Sequence, residues 1–159
     1  MGGMKNIKNC RTVLVICFLL AAPALAYAQT AAEIEKLLET ETVSYGQAAW
    51  LVLEAADLSG SFDSSAPEGA FNFAAQQGWL PKNAAPRDKA SLEGVSLLVM
   101  RSFGIKGGLF YSLLKNPHYA YREMVYQDVI QGRSDPQMPV SGDMLLFLVN
   151  RVLSRAEEP

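Results

Sequence analysis

The sequence predicts an all-α domain assembled from three helix–loop–helix repeats, and three observations lead there. Apolar residues recur at the three-four spacing of an amphipathic helix in several segments, whereas almost nothing alternates with period two over a useful length. Three of those segments begin at a serine: Ser44, Ser91 and Ser141. Counting from each serine, the same kinds of residue return. Four positions on stand Ala48, Val95 and Leu145; seven on, Leu51, Leu98 and Leu148; eight on, Val52, Val99 and Val149. These offsets share one helical face, so what repeats is a packing surface.

The first 28 residues read as a secretory signal peptide. Lys5, Lys8 and Arg11 precede a largely apolar run from Val13 to Leu20, and Ala26-Tyr27-Ala28 supplies a small-x-small cleavage site before Gln29. The apolar run is short for a membrane span. Cleavage removes both cysteines, Cys10 and Cys17, and with them any disulfide. Removing 28 of 159 residues leaves a single domain over 29–159, 131 residues long, enough for one apolar core. It keeps 11 basic residues against 16 acidic ones, a formal charge of −5. With no basic stripe to offset phosphate repulsion, nucleic acid is not an expected partner, and export argues against a transcriptional helix-turn-helix.

Along the mature chain, Ala31 to Leu38 suits a short helix with Ile34, Leu37 and Leu38 near one face. Gly46 to about Asp57 is a stronger one, capped by Ser44, with Gln47 placed to complete a capping box. Leu58 to Gly69 is rich in serine and glycine and reads as an exposed loop, with disorder the open alternative. Ala70 to Gln77 follows as a helix stopped by Gly78, after which Trp79 and Leu80 fold back onto the core before Pro81. A polar connection over 81–89 leads to the helix from Leu92 to Phe103, which Gly104 ends. Gly107-Gly108 breaks the chain, Leu109 to Leu114 makes a brief helical turn, and 104–120 is an insertion relative to the other repeats. Tyr121 to Ile130 is helical up to Gly132, Asp135 and Pro136, with a short bridge at Val129-Ile130 the alternative, and Met144 to Leu153 is the last helix.

The repeat extends upstream in two units, since Leu80 and Ile130 each sit eleven residues before a serine. Successive serines lie 47 and 50 residues apart, and the first unit is abbreviated, as terminal repeats often are. On these residues the chain resembles the S-layer homology family over Ala31 to Leu153, most clearly in Ala70 to Phe103 and Tyr121 to Leu153. The resemblance implies a compact pseudo-threefold domain that attaches exported proteins to secondary polymers of a cell wall. The family's Thr-Arg-Ala-Glu stretch, which starts the second helix and helps to build the ligand groove, corresponds to Ser44-Tyr45-Gly46-Gln47, Ser91-Leu92-Glu93-Gly94 and Ser141-Gly142-Asp143-Met144. The hydroxyl survives in all three. The arginine does not, and Tyr45, Leu92 and Gly142 offer no rigid donor pair for an anion.

No catalytic centre emerges. His118 is the only histidine, too few for a zinc cluster, and neither Ser112 nor Ser134 sits in an activating context. Gly104-Ile105-Lys106-Gly107-Gly108 lacks the Gly-Lys-Ser/Thr ending of a phosphate loop, and 57–63 lacks the regular oxygen positions of a calcium loop. Neither a cofactor nor a metal is expected. The aromatic stretch after the glycines provides the contact candidates: Tyr111, Tyr119 and Tyr121, with Lys115 and Arg122. Tyrosine pairs a broad apolar face with a hydroxyl, suited to a protein or to a sugar, and cations add hydrogen bonds. The alternative use of these rings, as of Trp50 and Trp79, is to complete the core.

The expectation is therefore a periplasmic or secreted, envelope-associated, non-catalytic binding or scaffolding domain that contacts cell-wall polymer. A protein–protein scaffold without glycan binding is the first alternative. The second, a small wall hydrolase, needs Glu123, Asp128 or His118 to meet another ionisable group in a cleft.

Overall fold

The computed structural model describes residues 34–63, 65–132 and 134–156. The predicted signal peptide lies outside them. The chain divides into two units, Met1–Leu37 and Leu38–Pro159, and the first contributes only 34–37 to the described residues. All regular structure described is helical: α1 over 34–38, then α2 (Tyr45–Ala55), α3 (Pro67–Gln76), α4 (Leu92–Ser102), α5 (Leu109–Leu114), α6 (Pro117–Tyr126) and α7 (Gly142–Ala156). None of the described helices is long and apolar enough to cross a membrane.

The serines start the helices as their chemistry dictates. Ser44 Oγ accepts from Gln47 N at 3.3 Å while the Gln47 side chain accepts from Ser44 N at 2.9 Å, a complete capping box. Ser91 Oγ accepts from Gly94 N at 3.2 Å. Ser141 instead donates to the Asp143 carboxylate, which also accepts from Met144 N, and both bonds hold that acid below its ordinary pKa.

Helix ends follow one recipe. α2, α3, α4 and α6 each run into a residue of positive φ, namely Asp57, Gly78, Gly104 and Asp128. The next residue then reaches back five positions: Leu58 N to Leu53 O, Trp79 N to Ala74 O, Ile105 N to Met100 O and Val129 N to Met124 O, all at 2.8–2.9 Å. These are Schellman closures, each followed by an apolar residue. The expected helix over Tyr121 to Ile130 is corrected accordingly. It starts earlier, because Pro117 fits the first turn and Asn116 Oδ1 accepts from Tyr119 N, and it stops at Tyr126, because Asp128 adopts the left-handed conformation an aspartate tolerates. The isolated antiparallel bridges are Ser44–Lys89 and Ser91–Pro139, and the alternative of a bridge at Val129-Ile130 is not among those of the described residues.

The 58–69 loop contains a single 3₁₀ turn, Ser59–Ser61, and α3 begins within it at Pro67. Phe62 lies 6.1 Å from Phe73, and Trp79 meets Phe73 edge-on at 5.7 Å, so the turn after α3 folds over that helix as the sequence suggests.

At the centre of the second unit, the residues preceding the three serines bond to one another in a closed cycle. Ala90 N donates to Val43 O at 2.9 Å, Val140 N to Ala90 O at 3.0 Å, and Val43 N to Val140 O at 2.8 Å. All three residues are fully buried. Each buried amide finds its acceptor in another segment, so none is left unsatisfied. Around this ring the counted positions point inward: Ala48, Val52, Val95, Leu98, Val99, Leu145, Leu148 and Val149 are all buried, as are Leu51, Leu80 and Ile130. The two largest helix interfaces are α4 against α6 and α2 against α3.

Candidate binding surface

The segment between α4 and α6 is at the surface except for Tyr111. Gly104 turns the chain out of α4, and a loop over 105–108 leads into α5. Three side chains fix that loop. Gly108 N donates to Glu123 Oε2 at 2.8 Å, Gln127 Nε2 donates to Lys106 O and to Glu123 Oε1, both at 2.9 Å, and Ser112 Oγ donates to Gly107 O at 3.0 Å. Gly107 must be glycine: a Cβ there would lie 2.5 Å from Tyr111 Cδ1 and 3.0 Å from Glu123 Cγ.

Helix α5 is anchored by one face alone. Tyr111 is buried, and burial pushes its phenol above the ordinary pKa, with Arg101 opposing and Glu123 adding to the rise. The other face is in water. Leu109 is 80% exposed, Leu113 76%, Phe110 64% and Leu114 51%. Lys115 closes the helix with φ 44°, and Phe110 stacks on Tyr119 with centroids 5.8 Å apart and planes 11° from parallel.

The five expected contact residues therefore separate. Tyr111 and Tyr121 are core residues, and Tyr121 Oη donates to Ser134 O at 2.5 Å. Both rings turn inward, and of the two Tyr111 also lines the basin beside α5. Lys115 and Arg122 are exposed, and Tyr119 is half-buried between Phe110 and His118, whose ring meets it edge-on at 5.5 Å. Ser44, Ser91 and Ser141 remain helix-start residues, with Tyr45 Oη and Ser91 Oγ sharing a hydrogen bond of 3.0 Å.

Beside α5 lies an open basin of about 400 Å³ lined by Met100, Arg101, Lys106, Tyr111, Ser112 and Lys115 among others. Three of its lining side chains are cationic, which the sequence reading missed in Arg101 and Lys106. A signal for them exists in the chain. From Arg101 through Arg122 there are four Lys or Arg residues and no Asp or Glu, although the protein as a whole is acidic. The next carboxylate, Glu123, is turned to the loop amide and to Gln127. A smaller recess of about 210 Å³ lies among Phe103, Ile105, Val129 and Val152, beside Arg155, which donates to Gln127 O.

The groups named for hydrolysis have other visible tasks: Glu123 holds the loop, Asp128 ends α6, and His118 is exposed against Tyr119. Among the described residues no three His, Cys, Asp or Glu side chains gather as metal ligands. The chain matches no protein-family model, no curated protein and no solved structure.

Proposed function

We propose that this chain is an exported, non-catalytic binding domain of the cell envelope, made of three helix–loop–helix repeats around a shared core, which holds an anionic wall polymer at its 101–122 face. The repeat reading is supported by the ring of Val43, Ala90 and Val140, three residues that occupy the same place, one before each serine. It is supported again by neighbouring bonds at matching offsets: Tyr45 N to Asp88 O and Gly46 N to Pro86 O recur as Leu92 N to Met138 O and Glu93 N to Pro136 O.

The binding reading is carried by one observation, the basin whose wall brings together Arg101, Lys106 and Lys115 on an acidic protein. Locally reversed charge concentrates anions that the rest of the surface repels. Tyr119, backed by Phe110, offers a ring edge for the apolar face of a sugar. Because the arginines of the family's groove are absent, the polymer is placed at the extra segment and not at the helix starts.

The test is sedimentation with purified cell-wall fractions. The parent protein is expected to pellet, with retention falling as salt rises. Reversing Lys106 and Lys115 together to glutamate should weaken retention by about tenfold or more, since each reversal replaces an attraction with a repulsion. A parent that stays in the supernatant at low salt contradicts the reading.

A further inference from the structure

From the exposed apolar face of α5 and the cations around it, we propose that the domain also docks on an anionic lipid surface, with Leu109, Phe110, Leu113 and Leu114 entering the headgroup region. This goes beyond polymer binding, because a charged glycan gives four projecting hydrocarbon side chains no partner.

Contiguous exposed hydrocarbon of this kind marks an interaction site. Here the exposure is built in. Residues i and i+4 pair as Leu109 with Leu113 and Phe110 with Leu114, so one side of α5 carries all four. Tyr111 ties the opposite side into the core, and the loop before it is fixed by Glu123 and Gln127. The helix therefore cannot roll its apolar side inward without unseating Tyr111. With six residues it is too short to span a bilayer, so its apolar side chains would reach no deeper than the interface.

Charge selects the occupant. Lys106 precedes the apolar face, Lys115 follows it directly, Arg122 lies beyond, and no carboxylate occurs between Arg101 and Arg122. Cations flanking inserted apolar side chains match lipid phosphates and the negative potential of an anionic leaflet. A second copy seated on α5 would bring Lys106 and Lys115 against the same lysines, and the like charges disfavour it.

The experiment is co-sedimentation of the mature chain with vesicles of phosphatidylcholine alone or mixed with phosphatidylglycerol, and with wall fractions in parallel. Binding to the mixed vesicles should exceed binding to pure phosphatidylcholine by about tenfold or more and decline with salt. Replacing Leu109, Leu113 and Leu114 by serine, with Phe110 kept on Tyr119, should abolish vesicle binding while leaving the melting temperature unchanged, since those three side chains face water. The same variant should keep most of its wall retention, so loss of one activity is read separately from loss of the other. Failure of the parent to bind mixed vesicles overturns the proposal, as does a serine variant that binds them as well as the parent. Concentration-dependent dimerisation that the serine variant loses, with vesicles ignored, overturns it in favour of a second copy.

Discussion

Leu98→Ala is expected to lower the unfolding free energy by about 2–5 kcal/mol, the usual cost of emptying a fully enclosed leucine site. Leu98 is completely buried, seven residues after Ser91, on the helix that packs against both α6 and α2. Its neighbours Val95 and Val99 are equally enclosed, and their β-branched side chains have little rotamer freedom with which to close the gap. Against a total stability of about 5–15 kcal/mol for a typical domain, such a loss is large. Urea unfolding measures it as a fall in midpoint at unchanged slope. A change below about 0.5 kcal/mol, the range of ordinary surface substitutions, would mean that this face of α4 is not in the core.

Gly94→Ala should destabilise the protein by about 1–3 kcal/mol, the scale of overpacking, although alanine is the better helix former by about 1 kcal/mol. The sign turns on Tyr45. A Cβ at position 94 would lie 2.3 Å from Tyr45 Oη, 2.8 Å from Cε1 and 2.9 Å from Cζ. The Tyr45 ring is buried, and its hydroxyl is engaged with Ser91, sharing a bond with Oγ and accepting from Ser91 N at 3.4 Å. Relief requires the ring to leave both. In a Tyr45→Ala background the same substitution should become neutral or stabilising, because only the helix preference remains. A thermal or chemical denaturation cycle over the four proteins measures this coupling. If Gly94→Ala has the same effect with and without the tyrosine, the contact does not govern the site.

Much of the architecture was legible because its determinants are side chains. Ser44 and Ser91 announce their helices by capping chemistry, and Gly78 and Gly104 announce the ends of α3 and α4 through freedom at positive φ. Asp57 and Asp128 end α2 and α6 in the same way without glycine, which is why Tyr121 to Ile130 reads as one helix. The central ring is harder to see. It consists of backbone groups of Val43, Ala90 and Val140, and a main-chain bond leaves no signature beyond a small or β-branched residue before each serine.

The contact surface was half legible. Lys115, Tyr119 and Arg122 are at the surface, whereas Tyr111 and Tyr121 turn inward, a distinction that depends on helix register. Pro117 sets that register for α6, four residues ahead of the apparent start of the pattern. In α5, six residues are too few for a periodicity to declare which side faces water. The acid-free span around it was visible in the sequence all along and is the better guide to that surface.

The claim on which the architecture rests is that the three segments led by Ser44, Ser91 and Ser141 close around one ring as a cooperative unit. Native-state amide hydrogen exchange addresses it directly, because Val43, Ala90 and Val140 each donate one bond of the cycle. The account predicts that these three amides are among the slowest in the protein and that they open with a common free energy, equal to that of global unfolding. Fast exchange at any one of them, with the other two still protected, would contradict a closed ring and the shared core built around it.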